Sequence, residues 1–359
     1  MKILFHLGHP AHFHLFKNVI MRLQGSGNET HVLIKGKDVL IDLLNDSGIA
    51  YKNILPDGKG YGKLGLFNDL LKRGSRMITY CKKHNPDLLI GTSADISYVG
   101  KLLDIPAINV NEDDAAVIPF YAWISYPWAT AILSPDSCNN GRWNNKTINY
   151  KGYHELAYLH PDHFLPDKSI VFKYVHLYSS YIILRFSSLN AHHDKGIRGI
   201  SCQLAKDLIH RIEPYGKIII TSEYNLDAEL ESYRMPIDPV DMHHLLAHAK
   251  LVIGDSQTMT AEAGVLGTPF IRYNDFVGKI GYLMELEERY ELGYGIKPDF
   301  PELIISKAEE IITNKESAEI FQQRREKMLS EKINVVDFIY EYIINILGKT
   351  QIKGTSFNV

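Results

Sequence analysis

The sequence predicts an α/β protein in two halves of one class, each a mostly parallel sheet covered by helices on both faces. Short apolar-rich runs such as Lys2–Leu7 and Tyr181–Phe186 alternate with segments whose apolar residues recur at helical spacing. The alternation pauses between Gly152 and Ser169, where Pro161 and Pro166 mark a linker, and then resumes. At 359 residues the chain is also longer than one hydrophobic core usually supports.

In the first half, Lys2 to Leu7 reads as a buried strand, Gly8 to His12 as a loop and Phe13 to Leu23 as a helix. His31 to Lys35 is a strand, Val39 to Ser47 a helix ending at Gly48, and Ala50 to Ile54 a short strand. Leu66 to His84 is a long amphipathic helix closed before Pro86, and Asp87 to Gly91 restarts the strand pattern. Ser97 to Leu103, Pro106 to Val110, Ala116 to Tyr126 and Ala129 to Leu133 continue it. The second half runs through the strand Tyr181 to Phe186, the loop Ser187 to Gly196, the helix Ile200 to Ile212 and the strand Lys217 to Thr221. The helix Asp241 to Ala249, the strand Leu251 to Ile253, the helix Met259 to Val265 and the strand Pro269 to Tyr273 follow. After the helix Ala318 to Lys332, Asn334 to Leu347 is long enough to pack away from the second core, and 348–359 reads as a loose tail. The expected domains are 1–165, 166–332, and a C-terminal helix and tail over 333–359.

A net charge of -3, 45 % apolar residues and 23 % charged ones exclude a disordered tract and a basic nucleic-acid binder. Cys81, Cys138 and Cys202 form no CxxC pair, so neither a disulfide framework nor a thiolate zinc site is expected, and a reducing cytoplasm fits. The apolar run after Met1-Lys2 is too short for a signal-peptide core and reads as a first strand. No stretch reaches the roughly 18 consecutive apolar residues that a bilayer span needs, which leaves peripheral membrane contact open.

The stretch GDSQTMTAEAGVLGTPF, residues 254–270, follows the apolar run Leu251-Val252-Ile253. In open α/β sheets, ligands sit beyond the carboxyl ends of strands, where glycines allow close approach and helix N-termini present N–H groups to anions. Gly254-Asp255-Ser256 reads as the turn. Ser256, Gln257 and Thr258 open the helix, with hydroxyls and first amides suited to a diphosphate. Glu262, one helical turn beyond Thr258, shares its face and can accept from both hydroxyls of a ribose. The alternative is that Ser256 only caps the helix and Glu262 is a solvated side chain.

DSQTMTAEAGVLGTPFI resembles the nucleotide-sugar segment of GT-B proteins, especially the non-hydrolysing UDP-N-acetylglucosamine 2-epimerases and the peptidoglycan N-acetylglucosaminyltransferase. The resemblance implies that Ser256 contacts diphosphate and Glu262 holds ribose. A second resemblance starts at HLGHPAHFHLFKNVI, residues 6–20, whose GHPAHxHxFK pattern is similar to the opening of a widespread prokaryotic family of uncharacterised GT-B-like proteins. It runs on through NEDDAAVIPFYAWISYPWATAILSPD and KGYHELAYLHPDHF to about residue 330. The implied fold is two Rossmann-like domains facing a central cleft, with a C-terminal helix returning to the first domain. The loop Gly8 to His14 would then project from the first domain, opposite the nucleotide.

An imidazole titrates near neutrality, so His9 or His12 could remove the proton of an acceptor hydroxyl as its oxygen attacks the sugar, while His14 packs or orients. HxxH occurs in metal sites too, but no carboxylate or cysteine lies nearby in sequence, and no metal is expected. Asn111-Glu112-Asp113-Asp114 follows a strand and is either a solvated loop or a set of acids at a substrate. Glu112 roughly matches the acid that moves the C2 proton in the epimerases. Arg185 and the loop Ser187–Gly196 suit phosphate oxygens. The loop departs from the His-Arg-Arg-Glu-Asn run of the epimerases, and His-Pro-Ala replaces their Arg-Pro-Glu. In GT-B proteins the segment matching Met235–Asp241 receives the base. Phe120, Tyr121, Trp123, Tyr126 and Trp128 could touch a lipid-linked acceptor or a bilayer, or be core plus one helix face.

The expected activity is therefore an inverting, metal-independent glycosyl transfer from a nucleotide sugar, UDP-linked, to a cell-surface polysaccharide or glycolipid. Gly8, Arg185, Ser256, Gln257, Thr258 and Glu262 would bind the donor, with no cofactor besides this substrate. His9, His12, Glu112 and Asp113 are the candidates for proton transfer. The alternatives are a 2-epimerase-like isomerase using Glu112 or Asp113, and a binding protein that keeps the nucleotide-sugar site without catalysis.

Overall fold

A computed structural model describes residues 1–36, 38–55, 62–175, 180–187 and 197–354. The chain forms two compact units, Met1–Tyr158 with Ile333–Val359, and Leu159–Lys332. The first division falls ahead of the Pro161–Pro166 stretch.

The first unit holds the strands β1 Lys2–Leu7, β2 Glu29–Lys35, β3 Lys52–Leu55, β4 Leu88–Gly91, β5 Ala107–Val110, β6 Ala131–Pro135 and β7 Thr147–Tyr150, in the order β3-β2-β1-β4-β5-β6-β7. Every neighbouring pair is parallel. Leu4, Leu33, Leu89 and Ala107 bury one face against Met77, Cys81, Ile96 and Val99 of two covering helices. Phe5 points the other way and meets Phe16 edge-on at 5.5 Å. With both faces covered, the strands read as apolar runs instead of alternating ones.

The second unit holds β8 Tyr181–Phe186, β9 Lys217–Ser222, β10 Leu251–Gly254, β11 Phe270–Tyr273 and β12 Gly293–Ile296, in the order β12-β11-β10-β8-β9, again all parallel. Ile182, Leu184, Ile253 and Ile271 pack on the helices Cys202–Ile212 and Pro301–Thr313. β7, β12 and the Pro301 helix are absent from the sequence reading. GYGI in β12 looks like a turn because of its two glycines, yet both are demanded by packing. A Cβ at Gly293 would lie 2.4 Å from the Phe270 ring, and one at Gly295 2.5 Å from Glu287 Oε2.

Helix boundaries shift where local chemistry adds turns. The first helix begins at Pro10, not Phe13, because Pro10 suits a first helical position and His9 caps it, its Nδ1 accepting from Ala11 N at 3.2 Å. His12 is therefore helical instead of lying in a loop. The last helix, Val335–Gly354, belongs to the first unit, as the family resemblance implies. Arg22 pairs with Asp337 and stacks on Tyr340 at 4.3 Å, and Phe338 meets Tyr150 at 5.0 Å.

Strand order reverses between β1 and β4 in the first sheet and between β8 and β10 in the second, and such switch points open a crevice at the carboxyl ends. A glycine stands at each. A Cβ on Gly91 would fall 2.7 Å from the His6 carbonyl oxygen, and one on Gly254 2.8 Å from that of Arg185. Backbone cannot yield as a flexible side chain does, so Gly91→Ala is expected to cost about 1–3 kcal/mol. Urea unfolding followed by tryptophan fluorescence would measure it.

Candidate functional site

At the second switch point Asp255 is buried at the end of β10. Its Oδ1 accepts from Ser187 N at 2.7 Å and Ser187 Oγ at 2.9 Å, tying the ends of β8 and β10 together. Burial raises its pKa, and the bonds from Ser187 oppose the rise. Beneath it, Asn274 donates to the Asp255 carbonyl at 2.8 Å and accepts from Phe276 N at 2.9 Å and Arg272 Nη1 at 3.3 Å. Arg272, fully buried, holds Glu287 through two bonds of 2.7 and 3.1 Å. The turn thus rests on a chain of paired polar groups, the arrangement that fixes a backbone path inside a core.

Ser256 caps the helix Gln257–Val265, its Oγ accepting from Met259 N at 3.4 Å. An α-helix leaves its first N–H groups without intrahelical acceptors, and Ser256 takes one of them. Ser256, Gln257 and Thr258 are half-buried at the carboxyl end of β10. Glu262 is not a solvated side chain: it is 6 % exposed, and its Oε1 accepts from His243 Nε2 at 3.0 Å, from the helix Met242–His248. Arg185, at the end of β8, turns its guanidinium to Glu223, and its buried Nε–H has no acceptor among the described residues. From 188 to 196 the segment expected to cover the phosphates lies outside the described residues.

The first switch point repeats this build. LLIGTS, residues 88–93, matches LVIGDS, residues 251–256, and Ser93 holds the extended cap conformation before the helix Ala94–Leu103. Here the serine does not cap; its Oγ lies 2.6 Å from Nδ1 of His6. Burial pushes the His6 ring down to about 4, and its Nε2 has no hydrogen-bond partner among the described residues. Gly8 N donates to His12 Nδ1 at 3.1 Å, and Thr92 Oγ1 lies 2.8 Å from both ring nitrogens of His12. A backbone N–H can only donate, so the neutral rings of His9 and His12 both carry their proton on Nε2. His14 meets the ring of Tyr158 at 5.1 Å, in keeping with a packing role.

Past β5, Glu112 is engaged by His154. Its Oε2 accepts from His154 N at 3.1 Å, and its Oε1 lies 3.3 Å from Nδ1 of the same ring. Burial lowers His154 to about 4, so the ring is neutral, and its Nδ1 faces the carboxylate. A neutral ring with its proton there presents a lone pair at Nε2, which is buried with no hydrogen-bond partner among the described residues. Asp113 is half-buried beside it and opposes the fall in the His154 pKa, while Asp114 Oδ1 accepts from Asn139 N at 2.9 Å. The sequence reading missed His154, His243 and His6. His6 and His154 lie within HLGHPAHFHLFKNVI and KGYHELAYLHPDHF, and the repeat of LVIGDS in LLIGTS points to the crevice beside His6.

A family model described as "Protein of unknown function (DUF354)" matches residues 1–345. Among solved structures, the chain is similar to the UDP-GlcNAc 2-epimerase of Neisseria meningitidis bound to UDP-GlcNAc, with 15 % identity over 97 % of this chain and 100 % of that one and a TM-score of 0.66. It is similar to MnaA of S. aureus in a co-structure with UDP, at 13 % identity over 98 % and 96 % and a TM-score of 0.71. The calicheamicin glycosyltransferase CalG4 follows at 12 % identity over 97 % and 98 %, TM-score 0.60. At these identities the likeness is one of fold, an α/β GT-B-like fold over nearly the whole chain. A comparison with curated proteins finds no match.

Proposed function

We infer, from the premise that this chain belongs to the family described as protein of unknown function DUF354, that it is a glycosyltransferase that takes its sugar from a UDP-linked donor. The acceptor is a cell-surface polysaccharide or glycolipid. The observation that carries this reading is a pairing at the second switch point: a helix N-terminus opening with Ser256, Gln257 and Thr258, and Glu262 buried one turn further on. Solved proteins of the same fold hold UDP-GlcNAc and UDP, which supports the choice of donor.

In this reading the first amides of the Gln257 helix and the Thr258 hydroxyl stabilise the diphosphate. Arg185 joins them by releasing Glu223, and Glu262 accepts from the ribose. The acceptor oxygen attacks the anomeric carbon from the face opposite the diphosphate. The bond from that carbon to the phosphate oxygen breaks with its electron pair leaving on the nucleotide, and the configuration inverts. A histidine takes the acceptor's proton. With Nε2 already protonated, His9 or His12 must give up its Nδ1 bond to do so. His9 is exposed and bonded at 3.2 Å, so water replaces that bond at small cost, and we place the base there. The scheme uses neither metal nor cofactor. A screen of nucleotides and nucleotide sugars by melting temperature tests it. UDP and one or more UDP-sugars are expected to raise the transition by several degrees, and no rise with any uridine nucleotide would end the assignment.

The Glu112–His154 pair favours a second reading, an isomerase that moves the proton at C2 of a UDP-N-acetylamino sugar through Glu112 or Asp113. Incubation of UDP-GlcNAc with the protein in heavy water, without acceptor, separates the two. Deuterium at C2 supports the isomerase, and retention of the original proton with donor bound supports transfer.

A further inference from the structure

We propose that the outer face of residues 116–128 docks on an anionic phospholipid surface. From 115 to 135 the chain carries no Asp, Glu, Lys or Arg. Its helix, Pro119–Ser125, packs Ala122 inward against an apolar cluster with Tyr126 and Ile132, yet places its remaining hydroxyls inward and its largest apolar rings outward. A surface helix of a water-soluble protein turns polar residues outward and apolar ones inward. Here the inward side carries the hydroxyls: Ser125 Oγ accepts from Asn109 Nδ2 at 2.9 Å and lies 3.0 Å from Ser97 Oγ, Tyr121 donates to the Thr92 carbonyl at 2.7 Å, and Tyr126 accepts from Asn111 at 2.8 Å. The outward side carries Phe120, 71 % exposed, and Trp123, 61 % exposed, followed past the helix by Trp128, 48 % exposed. Residues 116, 119, 120, 123 and 127 recur at helical spacing and are all exposed and apolar.

Two cations contact this segment. The Arg142 guanidinium lies 4.0 Å over the ring of Trp123 and 4.4 Å over that of Trp143. Lys146 donates to the carbonyls of Pro127 at 2.7 Å and Ala129 at 3.2 Å, behind the aromatic face. Tryptophan and phenylalanine beside arginine suit the boundary between headgroups and acyl chains, and the cations favour anionic headgroups. A second copy fits less well. The three exposed rings offer about 400 Å², roughly half of what each partner gives to a stable protein interface. Among the described residues no helix is long and apolar enough to cross a membrane, so the contact is one of lying on the surface. This adds to the proposed function by naming where a lipid-borne acceptor would be met, and it rests on geometry that the nucleotide site does not share.

Two of the three tryptophans, Trp123 and Trp128, are exposed on this face, and Trp143 lies half-buried against Tyr126 and under Arg142, so tryptophan emission reports contact at this region. The full chain is titrated with extruded vesicles of phosphatidylcholine and phosphatidylglycerol (3:1) and with phosphatidylcholine alone. We expect a blue-shifted emission and co-sedimentation with the anionic vesicles. Binding should be lost in Phe120→Ser/Trp123→Ser and weakened roughly tenfold or more in Arg142→Glu, since each basic residue near such a surface contributes about one power of ten or slightly less. Both variants should keep the wild-type circular dichroism and its response to UDP, which separates this inference from the nucleotide assignment. No emission shift with either vesicle would overturn it. So would equal binding to both vesicles with no effect of Arg142→Glu, or a wild-type dimer that the double variant turns into a monomer.

Discussion

Glu262→Ala is expected to remove most of the stabilisation that UDP confers. At a UDP concentration one hundred times the wild-type Kd, a ligand bound only by the folded state adds about 2.7 kcal/mol. A hydrogen bond to a charged group contributes about 1.5–3 kcal/mol, so losing the ribose contact weakens Kd by about ten- to 150-fold. The UDP effect then falls to between about 0.3 and 1.3 kcal/mol at the same concentration. The variant also removes the acceptor of His243 inside the protein, which costs about 1–3 kcal/mol in the absence of nucleotide. Measuring each variant with and without UDP subtracts that second effect. His243→Ala provides the comparison: it breaks the same internal bond from the other side but leaves the carboxylate, so its UDP effect should stay nearer the wild-type value. If Glu262→Ala responds to UDP as the wild type does, Glu262 is a structural partner of His243 and nothing more, and the donor assignment loses its carboxylate.

The fold was legible because burial on both faces writes itself into consecutive residues. Tyr181–Phe186 and Lys2–Leu7 can be bounded from sequence because every position in them except Arg185 and Lys2 is buried. β12 was not, because the pressure that made two of its positions glycine comes from Phe270 and Glu287, on neighbouring elements. The candidate site divides in the same way. Gly254 and Ser256 could be placed from a strand followed by a turn and a cap, all of it local. The pairing of Glu262 with His243 could not, since the two side chains come from separate helices and the histidine is one of 16 with no distinguishing neighbours in sequence. The same holds for Glu112 and His154, which are joined only once β5, β6 and β7 lie side by side. For His9 the chemistry itself was read too simply. A histidine before a proline at a helix start can cap through Nδ1, and that bond decides which nitrogen keeps the proton.

Histidine burial also fixes how the first unit should respond to acid. His6 and His154 are held at about 4 by burial, below the ordinary value of 6.5. Above about pH 6.5 both rings are neutral whether the chain is folded or not, and their contribution is intact. As pH falls from there towards 4, the unfolded chain binds two protons that the folded unit refuses, and stability drops. Between pH 7.5 and 5 the loss is about 2 kcal/mol for each ring, or about 4 kcal/mol together, and it levels off only below about pH 3, once the folded rings are protonated too. The three tryptophans all lie in the first unit, so urea unfolding read by their fluorescence isolates it from the second. His6→Gln and His154→Gln should each remove about half of the drop, the first by replacing the ring that meets Ser93 and the second by replacing the one that meets Glu112. A drop of the same size in both variants would mean that other groups titrate across this window, and that neither ring is kept neutral by the fold.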